Sequence, residues 1–255
     1  MHLPEPTFPP LLTGHAVKRP ARPFAEAVEA ARAGRFGAGD VAWSRNVSRL
    51  ECAIVLEPEV RRERAMEMLY VAMVAFGDAF GAVAPPEVAL TYRWPQTILV
   101  NGAIVGDMPI AMAAGTGADG APAWLVIGAE IALRDVSRRR EPGHDPGTTT
   151  LFDEGCGEVT RTSLIESFCR HFLAWVHTWE HDGFAPAHRV WLGRAHDRDR
   201  AVTIDCAGNT MSGTFVGLDE CGNLLLRTAA GVEVVATERA ARILNEAVLS
   251  EAGAP

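Results

Sequence analysis

Apolar residues along this chain fall into short unbroken runs and into longer stretches repeating every three or four positions. Residues 49–57 (RLECAIVLE) and 123–133 (AWLVIGAEIAL) are nearly unbroken runs, the pattern of strands covered on both faces. Residues 59–80 repeat Ala65, Met68, Leu69, Ala72, Phe76 and Phe80 at helical spacing. They predict a helix opened by Pro58, with one core-facing stripe, and ended by Gly81 and Pro85-Pro86. A second helical stripe, Leu164, Phe168, His171, Phe172, Trp175 and Trp179, closes at Gly183, and Ser163 with Glu166 offers a capping box at its start. Residues 21–33 predict a shorter Ala-rich helix stopped at Gly34, followed by a Gly-punctuated loop and the short strand VAWS. Between the long helices, residues 87–93 read as a strand. Residues 97–101 and 103–112 read as a hairpin turning at Asn101-Gly102, the strongest two-residue hairpin signal.

The pattern changes after about residue 195. VTID, SGTFVGLD, LLLRT and VEVVAT are short strands separated by Gly- and Asn-containing turns, and residues 237–251 form a closing helix. Strands at about ten-residue intervals predict a small barrel. The expected organisation is an extended, proline-rich arm over residues 1–20, a core over 21–195 and a barrel with terminal helix over 196–255. The expected class is α+β: a mixed sheet with helices on one face, then an SH3-like barrel.

Composition narrows the function. A net charge of −8 argues against a general nucleic-acid binder, which needs a basic face. The one dense basic run, Arg138-Arg139-Arg140, leads into a Pro/Gly-rich loop and reads as solvated charge. No apolar run approaches membrane-spanning length and the N-terminus lacks signal-peptide features, so a cytoplasmic protein with no membrane partner is expected. Five cysteines at irregular spacing, with no CxxC pair, suggest reduced thiols.

Four segments then match one family in order. Arg93-Trp94-Pro95-Gln96-Thr97, followed by a hairpin and Gly106, is similar to the KWPND segment and following hairpin of biotin protein ligases. Val126-Ile127-Gly128-Ala129-Glu130-Ile131 resembles that family's IGxGIN strand. Asp182-Gly183-Phe184 with Trp191 resembles its EGxxxxxxxW stretch. Gly213 to Asp219, with Gly222 and Leu224-Leu225-Leu226, is similar to the GxxxGIDxxGxLLL of the ligases' C-terminal barrel. The resemblance spans residues 90–226 and implies the class II synthetase-like core of the biotin/lipoate protein ligase family. It shows no counterpart of the DNA-binding domain of the bifunctional ligases.

The resemblance implies a chemistry as well. Family members use ATP, with Mg²⁺ sharing the charge, to convert a carboxylic acid (biotin, lipoate or a related acid) to an acyl-adenylate. They then pass the acyl group to a lysine of a carrier domain. Phosphate groups in such a site need Lys, Arg or backbone N–H groups set around them. The family's GRGRRGRxW loop, aligned on its Trp, falls on Arg35 to Trp43: Gly37 and Trp43 match, Gly39 adds a second glycine, the internal arginines are absent, and Asp40 adds a negative charge. The lysine after the KWPND hairpin is replaced by Ala103 or Ile104. Gln96-Thr97 replaces the Asn-Asp pair, and Arg93 keeps a charge with altered geometry.

The candidate site is therefore Gly37, Gly39, Trp43, Arg45, Arg93, Trp94, Pro95, Gln96, Gly106 and Gly128, with Arg93 as the catalytic candidate and its loss expected to abolish ligand binding. Two readings stay open. In one, Arg35, Arg45 or Arg49 act with Arg93 in a working ligase. In the other, the pocket survives without ligase chemistry and binds an acyl group, a nucleotide or a carrier protein, with a homodimer left open. A third alternative, a zinc hydrolase, rests on His177-Thr178-Trp179-Glu180-His181, which fits an H-x-x-E-H pattern, although histidines near a helix C-terminus are also favoured by the dipole alone. Cys156, in DEGCGE, is a candidate nucleophile whose acidic neighbours would blunt it.

Overall fold

The computed structural model describes residues 3–113, 120–135, 147–206 and 209–251. The elements of the core are β1 (Thr13–Val17), α1 (Pro23–Arg32), β2 (Asp40–Ser44), β3 (Arg49–Leu56), α2 (Arg62–Ala65), α3 (Glu67–Gly81), β4 (Leu90–Arg93), β5 (Thr97–Val100), β6 (Ala103–Asp107), β7 (Ile110–Met112), β8 (Leu125–Ala132), α4 (Arg161–Asp182) and α5 (Ala185–Gly193). They build one eight-stranded mixed sheet in the order β1-β2-β3-β8-β6-β5-β4, with β7 also paired to β8. β1 runs parallel to β2 and the remaining pairs are antiparallel.

The two long apolar runs occupy the centre as β3 and β8, paired over their full length from Arg49–Ala132 to Leu56–Leu125. Alternate side chains explain why neither run alternates in polarity. Leu50, Cys52 and Ile54 with Ile127, Ala129 and Ile131 face α3 and α4 in the main core. Ala53, Val55 and Val126 face the other way, onto Phe24, Ala27, Val28 and Ala31 of α1. Helices thus cover both faces of the sheet, correcting the expected one-sided layering. α3 is buried nearly all round rather than along one stripe, because sheet, α4 and α5 enclose it.

Other boundaries moved for local reasons. Asn101 and Gly102 both adopt positive φ, as a two-residue hairpin turn requires. Pro109 divides the returning arm into β6 and β7. The cap of α4 is Thr160 with Ser163, each side chain bonding the other's backbone N–H, rather than Ser163 with Glu166. Glu166 instead receives the N–H and hydroxyl of Thr7, tying the arm to α4. That arm contributes β1, an extended strand paired with β2.

The C-terminal part comprises β9 (Ala201–Cys206), β10 (Asn209–Leu218), β11 (Leu224–Thr228), β12 (Gly231–Val235) and α6 (Thr237–Glu251). Its strands form an antiparallel sheet in the order β12-β11-β10-β9, consistent with an SH3-like barrel. Phe215, Leu218, Leu224 and Leu226 join the same apolar cluster as α3. Tyr70 locks this junction. Its hydroxyl donates to the Gly222 carbonyl, and Trp94 Nε1 donates to it at 3.0 Å. Among the described residues no helix is long and apolar enough to cross a membrane.

Candidate functional site

α1 covers only one end of its face of the sheet. Beyond it, the cross-strand register lines up five polar side chains on that same face. Arg93 lies opposite Thr97, Thr97 opposite Asp107, Asp107 opposite Glu130, and Glu130 opposite Glu51. Opposed residues project from one face of a sheet, so these form a continuous row. Ser44, at the end of β2, extends it by donating to Glu51 Oε2 at 2.7 Å. Leu99 and Ile104 are opposed on the same face, two residues along from Thr97.

Three carboxylates side by side repel one another, and the local sequence supplies partial compensation. Arg22, immediately before α1, donates to Glu130 Oε2. Arg49 Nε lies 3.6 Å from Glu51 Oε1. Thr97 Oγ1 donates to Asp107 Oδ1 at 2.7 Å. Burial still dominates: it raises the pKa of Glu130 despite Arg22 and raises that of Asp107 despite the Thr97 bond. Glu130 is 6% exposed, and its Oε1 is a buried acceptor with no partner among the described residues. A buried acceptor left unpaired costs about 1–3 kcal/mol.

Gly106 allows the row to close. A Cβ at that position would lie 2.0 Å from the Glu130 carbonyl oxygen, so only glycine permits β6 and β8 to meet there. Gly128 is a packing glycine, its absent Cβ leaving room for Phe24 and Pro109.

The other expected site residues make the following contacts. Gly37 and Gly39 form the turn between α1 and β2. The Gly37 N–H donates to Asp40 Oδ2 at 2.9 Å, the Gly39 N–H donates to the Val55 carbonyl, and Asp40 Oδ1 bonds His15. Arg35 is paired with Glu26. Trp43 points into the main core beneath the guanidinium groups of Arg45 and Arg161, and Arg45 is also paired with Glu5 of the arm. Trp94 and Gln96 are buried towards the C-terminal part: Trp94 bonds Tyr70 and Thr237, and Gln96 Nε2 donates to Asn245 Oδ1 of α6 at 3.1 Å. Pro95 is buried between them, after a cis peptide bond. Arg93 remains in the row at its end, held by Asp197 at 2.9 Å. Arg138-Arg139-Arg140 lies outside the described residues. Cys156 is buried rather than presented on a loop surface, and burial with Glu154 nearby raises its thiol pKa. Cys52 and Cys169 are buried, as expected of small apolar side chains.

Comparison with known proteins agrees with this architecture. Residues 8–193 match the model of the biotin/lipoate A/B protein ligase family, and residues 199–237 match that of the biotin protein ligase C-terminal domain. The chain belongs to the biotin/lipoate A/B protein ligase family. Within it, this ligase-family chain is 27% identical over 193 residues to the biotin–[acetyl-CoA-carboxylase] ligase of Paracoccus denitrificans, covering 76% of this chain and 80% of that one. It is 37% identical to a biotin protein ligase-like protein of unknown function from Silicibacter sp. tm1040, with a TM-score of 0.81 over 93% of this chain and 98% of the other. The apo biotin protein ligase of Aquifex aeolicus, 13% identical, shares the fold with a TM-score of 0.73 over 89% of this chain and 97% of that one.

Membership sharpens one position. Laid on the family's IGxGIN pattern, Ile127-Gly128-Ala129-Glu130-Ile131-Ala132 places Glu130 on the second glycine and Ala132 on the asparagine. A carboxylate therefore rises from the sheet where the pattern carries no side chain. Among the described residues, this row does not fit a triphosphate. The described cations flanking the row, Arg22, Arg49 and Arg93, each neutralise a carboxylate of the chain itself, and three acids lie between them. Sequence reasoning passed over Glu51, Asp107 and Glu130. The available signal was an isolated acid inside each of three apolar strands.

Proposed function

We propose that this chain is a non-adenylating member of its family that binds a small molecule through N–H donors directed at Glu130. The single observation that carries the reading is Glu130 Oε1, which has no partner among the described residues and is buried on the sheet where the family pattern has glycine. An ionised carboxylate oxygen only accepts hydrogen bonds, so its hydrogen-bonding complement is the N–H of a ureido, amine or amidine group. Ile104, partly exposed on the same face, offers apolar surface to the remainder of such a ligand. The acidic row disfavours a phosphate or acyl phosphate at the same position, because like charges in a poorly solvated site repel strongly. Biotin, which relatives in the family bind in solved structures, carries ureido N–H groups. Lipoate and octanoate carry no N–H donor.

Isothermal titration of the purified protein with biotin, lipoate, octanoate and a short alkylguanidine tests the reading. Saturable binding is expected for one or both of the N–H-bearing ligands and for neither of the others. Glu130→Leu should abolish it while leaving the circular dichroism spectrum unchanged. Binding of octanoate, or undiminished binding of the N–H ligand by the folded Glu130→Leu variant, overturns the proposal.

A further inference from the structure

A second cluster lies outside this site, on the last two turns of α4. His177, Glu180 and His181 are exposed, and one potential ligand atom from each lies within 4.8 Å of the others. The spacing is a consequence of the helix, since residues three and four apart share a face. The two imidazole ring centroids are 4.1 Å apart. His181 Nδ1 lies 2.9 Å from the His177 carbonyl oxygen. A carbonyl only accepts, so Nδ1 carries the proton and Nε2 keeps its lone pair. This is the arrangement that orients metal-binding histidines: one ring nitrogen donates to a backbone carbonyl and the other is left for the metal.

We propose that the C-terminal end of α4 binds one zinc ion through His177, Glu180 and His181. Ligand atoms around a tetrahedral zinc sit about 3.3 Å apart, from bond lengths of about 2.0–2.1 Å. Closing from the present separation needs only rotation of exposed side chains. Two imidazoles and a carboxylate suit a transition metal rather than Mg²⁺ or Ca²⁺, which prefer all-oxygen sites. The C-terminus of α4 carries partial negative charge, which favours a cation there. Three protein ligands leave the fourth position open to water or to a group from another molecule. With Glu180 serving as a ligand, the chain's H-x-x-E-H segment supplies a binding site rather than the zinc-and-base pair of a hydrolase.

The test uses the full chain, stripped with a chelator and titrated with zinc chloride, with bound metal counted by mass spectrometry after gel filtration. One zinc per chain is expected. The His177→Ala/His181→Ala double variant should lose it, and Glu180→Gln should weaken it by at least about tenfold. Because the cluster is exposed, these variants keep the fold, which circular dichroism verifies. Cys221→Ser removes the exposed thiol and should leave the stoichiometry unchanged. The proposal is overturned by absence of saturable uptake, by full uptake in the double variant, or by loss of zinc in Cys221→Ser alone.

Discussion

Replacing Asp107 by Asn isolates the charge of one member of the acidic row from its shape. Asn keeps an oxygen to accept the Thr97 hydroxyl, so the 2.7 Å bond survives. It removes a half-buried negative charge facing Glu130 across the strands. A like-charge pair directly opposed costs about 0.2–1 kcal/mol, and relief of desolvation adds to it. The expected gain near pH 7 is about 1 kcal/mol, or about 2–4 °C in Tm for a chain of this size. The pH dependence fixes the sign. Burial raises the pKa of Asp107 above its ordinary value, so the native state holds this proton more tightly than the unfolded chain. Stability contributed by the proton is complete below the unfolded pKa and is lost as pH rises through the folded one. Wild type and Asp107→Asn should therefore melt together near about pH 3.5, with the variant ahead at neutrality. Thermal melts across that range, followed by circular dichroism, make the comparison. A variant that is less stable at pH 7, or a gap that does not change with pH, refutes the reasoning.

Two further substitutions probe the surroundings. Tyr70→Phe removes the hydroxyl joining Gly222 and Trp94, while Thr237 still bonds both groups. Chemical denaturation should show a loss of about 1 kcal/mol, with ligand binding unchanged. Arg93→Ala removes the pair with Asp197 at the end of the row, where the Arg93 side chain is 40% exposed. Titration should show affinity within about twofold of wild type, and denaturation a cost of at most about 1 kcal/mol, in place of the abolished binding that its motif position implied.

The chain reveals its architecture where local chemistry is decisive. Asn101-Gly102 sets a turn, Gly183 ends α4 with positive φ, and the unbroken runs of β3 and β8 announce strands covered on both faces. What those strands are covered by is not local information. α1 is too short for its Ala-rich stripe to declare which face it takes, and only the parity of Ala53, Val55 and Val126 in the assembled sheet decides it. The same limit hides the site. Glu51, Asp107 and Glu130 are 56 and 23 residues apart along the chain, and the register of β3, β8 and β6 makes them neighbours. Motif positions hide a structural contact as well. Trp94 and Gln96 occupy the ligase motif, and they also hold the C-terminal part against the core through Thr237 and Asn245. Carboxylates whose pKa is raised by burial, as those of Asp107 and Glu130 are, are a known mark of functional sites.

The most direct test of the central claim is pyrophosphate release. The protein is incubated with ATP, Mg²⁺ and each of biotin, lipoate and octanoate, beside a biotin protein ligase as positive control. The acidic floor predicts no release above the protein-free background with any of the three acids. Sustained, acid-dependent release with any one of them would show that an adenylate forms here, and would contradict the account.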